Sequence, residues 1–448
     1  MINDQSTIVA LASAVGVSSV AVIRLSGPES LNIASQCLNK IDEPIFNKVY
    51  YGVFRDPKTN TSIDQVCYFL FKGPKSFTGE DVVEIQCHGS SYVVKTIIEV
   101  CISLGASLAL AGEFTKRAFT NGKLSLTQAE SIIDLIHSES KLQHQISLNR
   151  VEGKLYSHIK KFRHTFITIL EQLEGSIDFP EEVPAIDRSQ VSVSLAKVKD
   201  KLNSILELQD FGKVIDNGFH CVLVGVPNVG KSSLFNALLD QDRSIVTEIA
   251  GTTRDYISEK IEYKGLQFHF YDTAGLRDAK DTVEYLGIKK VTDLLNKADL
   301  ILVLADQTKE AKDILNMVKS YKNKALIHTK SDLFTYSLPK NSDFIFQITS
   351  AVNNEASIQE LKDHIYNCVA VNENESDLEF MCNIRQQECL KNIYNQCSQL
   401  LNNLAEDYHD DVFSIELRHC VELCSDLAGD SLTEEVLDGI FSRFCVGK

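Results

Sequence analysis

Apolar and polar positions alternate in the first part of the chain with the two-residue period of β-strands. The clearest example is Val83–His88, in which apolar residues stand at every second position with polar residues between them. Val20–Leu25, Tyr50–Phe54 and Val66–Phe71 are further strand candidates, rich in valine and aromatic residues. A two-residue period buries one face of a strand and leaves the other at a surface. We therefore expect residues 1–119 to form an N-terminal α+β domain.

From about residue 120, apolar residues recur every three or four positions, as they do on amphipathic helices. Stripes of this kind run along 129–136, 159–173 and 390–404. Ser431 and Glu434 have the spacing of a capping box, which predicts the start of a last helix at that point.

Between the helical blocks lies a segment, 216–372, in which strand and helix patterns alternate. This alternation is typical of a parallel sheet covered by helices on both faces. The flanking blocks form either two separate domains or one domain that the central segment interrupts. Each block has an apolar face that needs a partner, which favours one discontinuous helical domain made of 120–215 and 373–448. The predicted fold is therefore multidomain, with α/β and all-α parts.

The composition narrows the class of protein. With 448 residues, 44% of them apolar and 24% charged, the chain is expected to be a soluble globular protein of several domains. Its formal net charge is −16. Such a charge repels phosphate backbones, so RNA binding would need a more basic partner or a local basic patch.

The cysteines and the N-terminus indicate where the protein acts. The chain has 12 cysteines and no Cys-x-x-Cys pair, which favours reduced, mostly buried thiols. Cys420 and Cys424 are four residues apart on a predicted helix with no further ligands near, so we expect them to pack in a core. The apolar stretch Thr7–Ile23 lacks a basic leader, and no run of 18 apolar residues occurs. We therefore expect a cytoplasmic protein without a signal peptide or membrane span.

A phosphate-binding loop follows the apolar strand Phe219–Val224. Residues 225–232 match Gly-x-x-x-x-Gly-Lys-Ser, and a helical run, Ser233–Leu239, comes next. In this strand–loop–helix setting, backbone N–H groups and the helix N-terminus surround phosphates. We expect Lys231 to contact the β- and γ-phosphates and Ser232 to ligate Mg²⁺.

Further motifs follow in the order that a GTPase needs. Strand Phe268–Tyr271 is followed by Asp272, which is expected to orient a Mg²⁺-bound water, in the run Asp-Thr-Ala-Gly. A threonine within 251–255 is expected to cover the metal. Ser350-Ala351, after the predicted strand Phe344–Ile348, is expected to lie behind the base.

The base is expected to be recognised after strand Ala325–His328, at Thr329-Lys330-Ser331-Asp332. The carboxylate of Asp332 can accept both the N1–H and the exocyclic amine of guanine, which adenine does not offer. Thr329 replaces the usual asparagine of this motif, and its hydroxyl can donate to N7 of the base. Together with the phosphate-binding loop, these motifs predict a P-loop GTPase.

The chain lacks the water-orienting glutamine of Ras-like switches, because Leu276 stands at that position. Asn228 in the phosphate-binding loop can bind a monovalent cation, which would take the part of an arginine finger. Glu284 is either a group that orients the water or an ordinary solvated helix residue. Spacing alone favours the second interpretation.

Over nearly its whole length the chain resembles the MnmE (TrmE) family of tRNA-modification GTPases. The resemblance depends on the GTPase motifs and on several other stretches. These are Ile23–Gly27, Ser76–Asp81, Gly112–Phe119, Asn121–Leu124, Gln128–Glu130, Ile177–Pro180 and Phe444–Lys448. Cys87–Ser90 departs from the family, which tends to place more glycines around this histidine.

The resemblance implies an N-terminal α+β domain that binds a tetrahydrofolate and dimerises the protein, a discontinuous helical domain, and an inserted Ras-like GTPase domain at 216–372. It implies a homodimer that forms a heterotetramer with an FAD-containing MnmG-type partner. Together they would add a carboxymethylaminomethyl group to C5 of the wobble uridine, position 34, of certain tRNAs. The one-carbon unit would come from 5-formyltetrahydrofolate or a related tetrahydrofolate. GTP hydrolysis would require Mg²⁺ and a K⁺-dependent dimerisation of GTPase domains.

The resemblance also assigns roles to residues. The implied folate contacts are Arg24, Glu84, Lys123 and Lys448. The implied catalytic residues are Glu284, Arg277 and Cys445. From the residues alone, Arg24 is equally suited to a surface ion pair. Cys445 either reacts or only packs.

The implied nucleotide site is larger than the motifs alone. The implied Mg²⁺ ligands are Ser232 and Thr253. The implied K⁺ ligands are Asn228, Thr247, Ile249 and Thr252. The implied nucleotide-binding residues are Asn228, Val229, Gly230, Lys231, Ser232, Ser233, Thr247, Glu248, Ile249, Ala250, Gly251, Thr252, Thr253, Asp272, Thr273, Ala274, Gly275, Thr329, Lys330, Asp332, Ser350 and Ala351.

The end of the chain is expected to dock rather than to fray. Ile440, Phe441 and Phe444 give the last helix an apolar face, which would bring the C-terminus toward the N-terminal domain. Two other functions compete with the one implied by resemblance. A ribosome-assembly GTPase shares the motifs but usually carries a basic RNA-binding domain, which is not evident here. A scaffold or sensor would use GTP hydrolysis only to time assembly.

Overall fold

The computed structural model describes residues 6–38, 44–226, 228–239, 257–272, 292–305, 318–330, 343–350, 354–369, 380–405 and 409–447. The chain divides into two compact units. The first unit is built from 1–133, 150–198 and 392–448, and the second from 134–149 and 199–391. Both ends of the chain therefore belong to the first unit, and the second unit is built from internal segments.

The bounds of the elements follow the chain order. The strands are β1 (Ile8–Leu11), β2 (Ser18–Ser26), β3 (Val49–Arg55), β4 (Ser62–Phe71), β5 (Val82–Gly89), β6 (Ser107–Leu108), β7 (Phe219–Gly225), β8 (Ile257–Tyr263), β9 (Leu266–Asp272), β10 (Leu300–Ala305), β11 (Lys324–His328) and β12 (Gln347–Thr349). The helices are α1 (Ser30–Cys37), α2 (Ser91–Ser103), α3 (Glu113–Thr120), α4 (Leu126–Ile136), α5 (Lys141–Val151), α6 (Lys154–Asp178), α7 (Arg188–Leu206), α8 (Gln209–Asn217), α9 (Lys231–Leu239), α10 (Glu355–Cys368), α11 (Ile384–Ala405), α12 (Asp410–Ala428) and α13 (Glu434–Phe441).

The first unit contains a six-stranded sheet in the order β3-β4-β5-β2-β1-β6. Its neighbouring strands are antiparallel, except that β1 and β6 run parallel. The predicted alternation in β5 is confirmed, because Val83, Ile85 and Cys87 are buried. Side chains of α1 and α2 complete the apolar core on this face of the sheet.

The predicted helical stripes are confirmed in α6 and α11 and only partly in α4. The buried positions of α6 include Ile159, Phe162 and Phe166. In α4, Ala129 is buried, but Ile136 is the last helical residue and its side chain is exposed. Among the described residues, no helix has the length and apolar character needed to cross a bilayer.

The two cysteines of α12 pack in the core of the first unit, as predicted. Cys420 and Cys424 are fully buried on one side of this helix. Burial raises the pKa of the Cys424 thiol to about 12, and it raises the pKa of Cys420 as well. Both thiols are therefore neutral at physiological pH and act as small apolar side chains.

The second unit contains a six-stranded sheet in the order β12-β11-β10-β7-β9-β8. Strands β7, β9, β10, β11 and β12 run parallel. Cys221 and Leu223 of β7 join one apolar cluster, and Val222 and Val224 join a second cluster on the other face. The predicted parallel sheet with two covered faces is confirmed.

Two details of this sheet differ from the prediction. Strand β8 is antiparallel to β9, because only Lys264 and Gly265 separate them and both have positive φ angles, of 48° and 82°. A two-residue turn of this kind joins antiparallel strands, whereas a parallel pair needs a longer crossover. Phe344 is buried without belonging to a strand, and β12 begins only at Gln347.

The last helix starts later than the spacing of Ser431 and Glu434 predicts. Thr433 is the N-cap residue of α13, and it makes no side-chain capping bond. The hydroxyl of Ser431 donates to the carboxylate of Asp426 instead. The predicted capping box is therefore wrong, because a nearby acceptor on α12 takes the serine proton.

The C-terminal residues dock on the N-terminal part of their own unit, as predicted. Phe441 and Phe444 are buried in a cluster with Leu126 of α4. Beyond the helix, Val446 forms an isolated antiparallel bridge with Ala111. The end of the chain is thus held by apolar packing and by backbone pairing.

Glycine is required where the C-terminal backbone passes against β1. Gly447 has a φ angle of 94°, and a Cβ atom at this position would lie 2.0 Å from the carbonyl oxygen of Leu11. No side chain fits at that distance, so the close approach depends on the absence of one. The structure therefore requires glycine at position 447, directly after Val446.

Replacing Phe441 by alanine should open the C-terminal docking site. Phe441 is 2% exposed, and loss of a buried phenylalanine typically costs about 3–5 kcal/mol. Amide hydrogen exchange, followed by mass spectrometry, should speed up in peptides covering 105–125 and 432–447. Val436 on the same helix is 47% exposed, so Val436→Ala is the matched control and should leave exchange unchanged. Equal protection in Phe441→Ala and wild type would show that this packing does not hold the tail.

Candidate functional sites

The phosphate-binding loop lies between the end of β7 and the start of α9. Gly230 has a φ angle of 99° and Asn228 one of 62°, both in the left-handed region. The ammonium group of Lys231 donates to the carbonyl oxygens of Gly225 and Val226, at 2.9 Å each. These neutral acceptors hold the lysine inside the loop, where anionic phosphate oxygens would be stronger acceptors.

A serine and an aspartate form an oxygen pair beside this loop. The hydroxyl of Ser232 donates to Oδ2 of Asp272 at 3.1 Å. The pairing of β7 with β9 brings Asp272 opposite Leu223, which lies near the end of β7, just before the loop. Hard oxygen donors of this kind suit Mg²⁺, so the two residues fit the metal predicted for this site.

The predicted base-recognition loop, which begins at Thr329, is hydrogen-bonded to the phosphate-binding loop. The hydroxyl of the buried Thr329 donates to the carbonyl oxygen of Val229 at 2.6 Å. The ammonium group of Lys330 donates to the carbonyl oxygen of Asn228 at 3.0 Å. Without nucleotide, the single hydroxyl proton of Thr329 is directed at the Val229 carbonyl. The donation from Thr329 to N7 of the base stays a prediction.

Several predicted residues lie outside the described part of the chain. They are Thr247, Glu248, Ile249, Ala250, Gly251, Thr252, Thr253, Thr273, Ala274, Gly275, Arg277, Glu284, Asp332, Ala351 and Lys448. Ser350 is described, and its N–H donates to the carbonyl oxygen of His328 at 2.8 Å, beside Thr329. Of the predicted K⁺ ligands, the structure thus describes Asn228 alone.

The first unit has a second candidate site, built around Arg24 and Glu84. These residues are directly opposite each other in the pairing of β2 with β5. The guanidinium of Arg24 lies 2.7 Å from Oε1 of Glu84, and the two side chains are only 16% and 23% exposed. The rings of Phe77 and Phe114 each lie 5.6 Å from the guanidinium carbon. Arg24 therefore forms an ion pair, as considered from the sequence, and this pair is largely buried beside two aromatic rings.

The loop that carries Phe77 is held from two sides. Arg117 of α3 donates to Glu80 at 3.1 Å and to Glu113 at 2.8 Å. Glu80 also accepts a hydrogen bond from Ser26 at 2.6 Å. Sequence reasoning missed Arg117 and Glu80, although both lie in the stretches that carry the family resemblance.

Lys123 closes the other side of this loop. Its ammonium group donates to the carbonyl oxygen of Pro74 at 2.9 Å. Asn121 donates to the carbonyl oxygen of Thr78 at 2.7 Å. A guanidinium, a carboxylate, a lysine on the adjoining loop and aromatic rings together suit a pterin ring with an anionic tail.

The last described residues of the chain lie against β1, the neighbour of the strand that carries Arg24. In the pairing of β1 with β2, Ala10 is opposite Arg24, and Gly447 lies against the neighbouring Leu11. The N–H of Gly112 donates to the carbonyl oxygen of Cys445 at 3.4 Å, and the Cys445 side chain is exposed. The tail therefore lies against β1, the strand that pairs with the one carrying Arg24, and its docking brings it to the N-terminal part of the chain as expected.

The loop geometry and the sheet of the second unit define a P-loop nucleotide-binding protein. A family model described as "GTP-binding protein TrmE N-terminus" matches residues 7–123, and one described as "MnmE helical domain" matches 126–445. The chain belongs to this MnmE (TrmE) family of GTPases.

Relatives match over full length. A protein named tRNA modification GTPase MnmE from Desulforamulus reducens is 37% identical, over 100% of this chain and 100% of that protein. Proteins of the same name from Thermotoga petrophila and Cytophaga hutchinsonii are 37% and 36% identical. They cover 99% and 100% of this chain and 100% and 98% of their own lengths. The similarity thus includes both units.

Thr329→Val should weaken GTP binding. The change removes the hydroxyl and leaves the buried Val229 carbonyl without this donor, which costs about 1–3 kcal/mol. Because part of the binding free energy must then bring the loop back into position, GTP affinity should fall by about 5-fold to 150-fold. Calorimetric titration of the variant and of wild type with GDP and a non-hydrolysable GTP analogue measures the two dissociation constants.

Two matched variants control this experiment. Thr329→Ser keeps the hydroxyl and should bind nucleotide almost as wild type does. Thr349→Val, on the neighbouring β12, changes a half-buried threonine and should have no effect. Unchanged affinity in Thr329→Val would mean that the loop is positioned without this hydrogen bond.

Proposed function

We propose that this chain hydrolyses GTP as part of an enzyme that modifies the wobble uridine of certain tRNAs. Together with an FAD-containing MnmG-type partner, it adds a carboxymethylaminomethyl group to C5 of the uridine at position 34. The observation that carries the proposal is full-length similarity to relatives named tRNA modification GTPases. A P-loop and an enclosed arginine–glutamate pair, one in each unit, support it.

The second unit binds and hydrolyses the nucleotide. Lys231 exchanges its carbonyl partners for the β- and γ-phosphates, because anionic oxygens accept hydrogen bonds more strongly. Ser232 and Thr253 would ligate Mg²⁺ and Asp272 would orient a water bound to it. The ion would supply positive charge beside the phosphates. Selectivity for guanine depends on the carboxylate of Asp332.

Hydrolysis needs a group that replaces the missing glutamine. Glu284 orients the attacking water, and Arg277 belongs to the same catalytic segment. The ligands proposed for K⁺ are Asn228, Thr247, Ile249 and Thr252. A K⁺ ion held by these residues would supply a positive charge at the phosphates when two GTPase domains associate.

The first unit holds the one-carbon donor, a tetrahydrofolate such as the 5-formyl form. Glu84 accepts hydrogen bonds from the donor edge of the pterin, and its second oxygen is available for this beside the bond to Arg24. The cations Arg24, Lys123 and Lys448 attract the polar oxygens and the carboxylates of the ligand. The chain works as a homodimer within a heterotetramer with the flavoprotein, and tRNA is the substrate of that complex.

The proposal is tested by removing the tail and measuring both activities on one preparation. A chain ending at Phe444 loses Val446 and Gly447, which pair with Ala111 and pass against Leu11. Folate binding should weaken and modification of tRNA with the flavoprotein should cease. GTP hydrolysis should stay near the wild-type rate, because the tail belongs to the first unit.

Cys445→Ser is the matched variant, since it keeps the tail and removes only the thiol. Full modification by this variant would show that the exposed Cys445 thiol is not needed, and loss of modification with normal folate binding would assign it to the chemistry. Full modification by the truncated chain would overturn the role proposed for the tail.

A further inference from the structure

The first half of α6 is strongly basic in an otherwise acidic protein. Between Glu152 and Glu171 the chain has no acidic residue but carries four lysines and arginines and two histidines. One of these cations has an internal purpose: Arg163 donates to the hydroxyl of Ser425 on α12 at 3.1 Å. Lys160, Lys161 and His164 are exposed.

This basic segment borders an open groove within the first unit. The groove lies between α6 and α7 and has a volume of about 250 Å³. Its lining residues are Lys161, Phe162, Thr165, Ser194, Lys197 and Val198. Phe162 and Val198 are buried and form the apolar floor. Lys161 and Lys197 are exposed and come from opposite helices.

No carboxylate among the described residues neutralises either lysine of this groove. Within the described part of the chain, neither Lys161 nor Lys197 has a carboxylate within 4.0 Å. Thr165 and Ser194 add hydroxyl groups to the lining, and the hydroxyl of Thr165 donates to the carbonyl oxygen of Lys161 at 3.0 Å. Lysines with serine and threonine hydroxyls are the side chains that contact phosphate and sugar in nucleic-acid complexes.

We infer that this α6–α7 groove binds the phosphate backbone of tRNA. The inference rests on the proposed function and adds to it the surface through which this acidic chain contacts its RNA substrate. A chain of net charge −16 repels RNA on average, so contact must be confined to a local cationic surface. Phe162, the one aromatic residue that lines the groove, is buried in its floor and leaves little ring surface on which an unpaired base could stack. The groove therefore contacts backbone rather than reading sequence.

The test is a double charge reversal, Lys161→Glu with Lys197→Glu, in the full-length chain. Binding of a fluorescein-labelled, unmodified tRNA transcript is followed by anisotropy over a range of KCl concentrations, with and without the flavoprotein. Because each neutralised phosphate contributes about 0.7–0.9 to the slope of log Kd against log[KCl], the slope should fall by about 1.5. Affinity near 0.15 M KCl should fall by about tenfold or more, and GTP hydrolysis should not change.

Two further variants keep the result interpretable. Lys161→Arg with Lys197→Arg keeps both charges and should bind tRNA as wild type does. Lys58→Glu with Lys95→Glu makes the same change in net charge at exposed lysines of the N-terminal sheet region, outside the groove. This control should lose little affinity.

The outcomes separate this inference from the proposed function. If wild type modifies tRNA and the groove variant keeps the wild-type affinity and salt slope, the groove is not a tRNA-binding surface. The proposed function would be unaffected by that result. Loss of flavoprotein binding with tRNA binding intact would identify a protein-docking surface and also overturn it. If wild type neither binds nor modifies tRNA in the complex, the proposed function fails and the groove with it.

Discussion

Docking of the C-terminus against β1 is the contact on which the organisation of this chain depends. Phe441 and Phe444 pack against α4, and Gly447 passes so close to Leu11 that no side chain could stand in its place. This contact joins residues at the two ends of the chain in one unit. The nucleotide-binding unit is consequently an insertion in the sequence, with its own sheet and its own core. The nucleotide site and the Arg24–Glu84 site can therefore be altered separately by mutation.

Both candidate sites are preorganised by groups that are not expected to touch a ligand's reacting atoms. In the nucleotide site, the hydrogen bond from Thr329 to the Val229 carbonyl fixes the base-recognition loop against the phosphate-binding loop. In the first unit, Arg117 links Glu80 and Glu113 and so holds the loop whose Phe77 covers Arg24. The hydrogen bonds of Arg117 are charge-assisted and largely buried. Such bonds are worth more than surface ion pairs, because water does not compete for the partners.

Periodicity and motifs predicted much of this structure because they report local geometry. The alternation in β5, the stripe of α6, the parallel sheet and the docking face of α13 all follow from which side of an element is apolar. The failures depend on partners that only the fold brings together. Ser431 donates to Asp426 instead of taking a capping position, and Phe344 is buried without belonging to a strand. Arg117 and Glu80 were likewise not predicted, since their roles arise from a contact between α3 and a distant loop.

The central claim is that this chain is required to modify wobble uridine in tRNA. Mass spectrometry of nucleosides from purified tRNA tests it most directly, in cells with and without the gene. The account predicts that C5-carboxymethylaminomethyl uridine disappears from position 34 when the gene is deleted. The nucleoside should return on complementation with the wild-type chain but not with the chain ending at Phe444. An unchanged set of wobble nucleosides in the deletion strain would contradict the account.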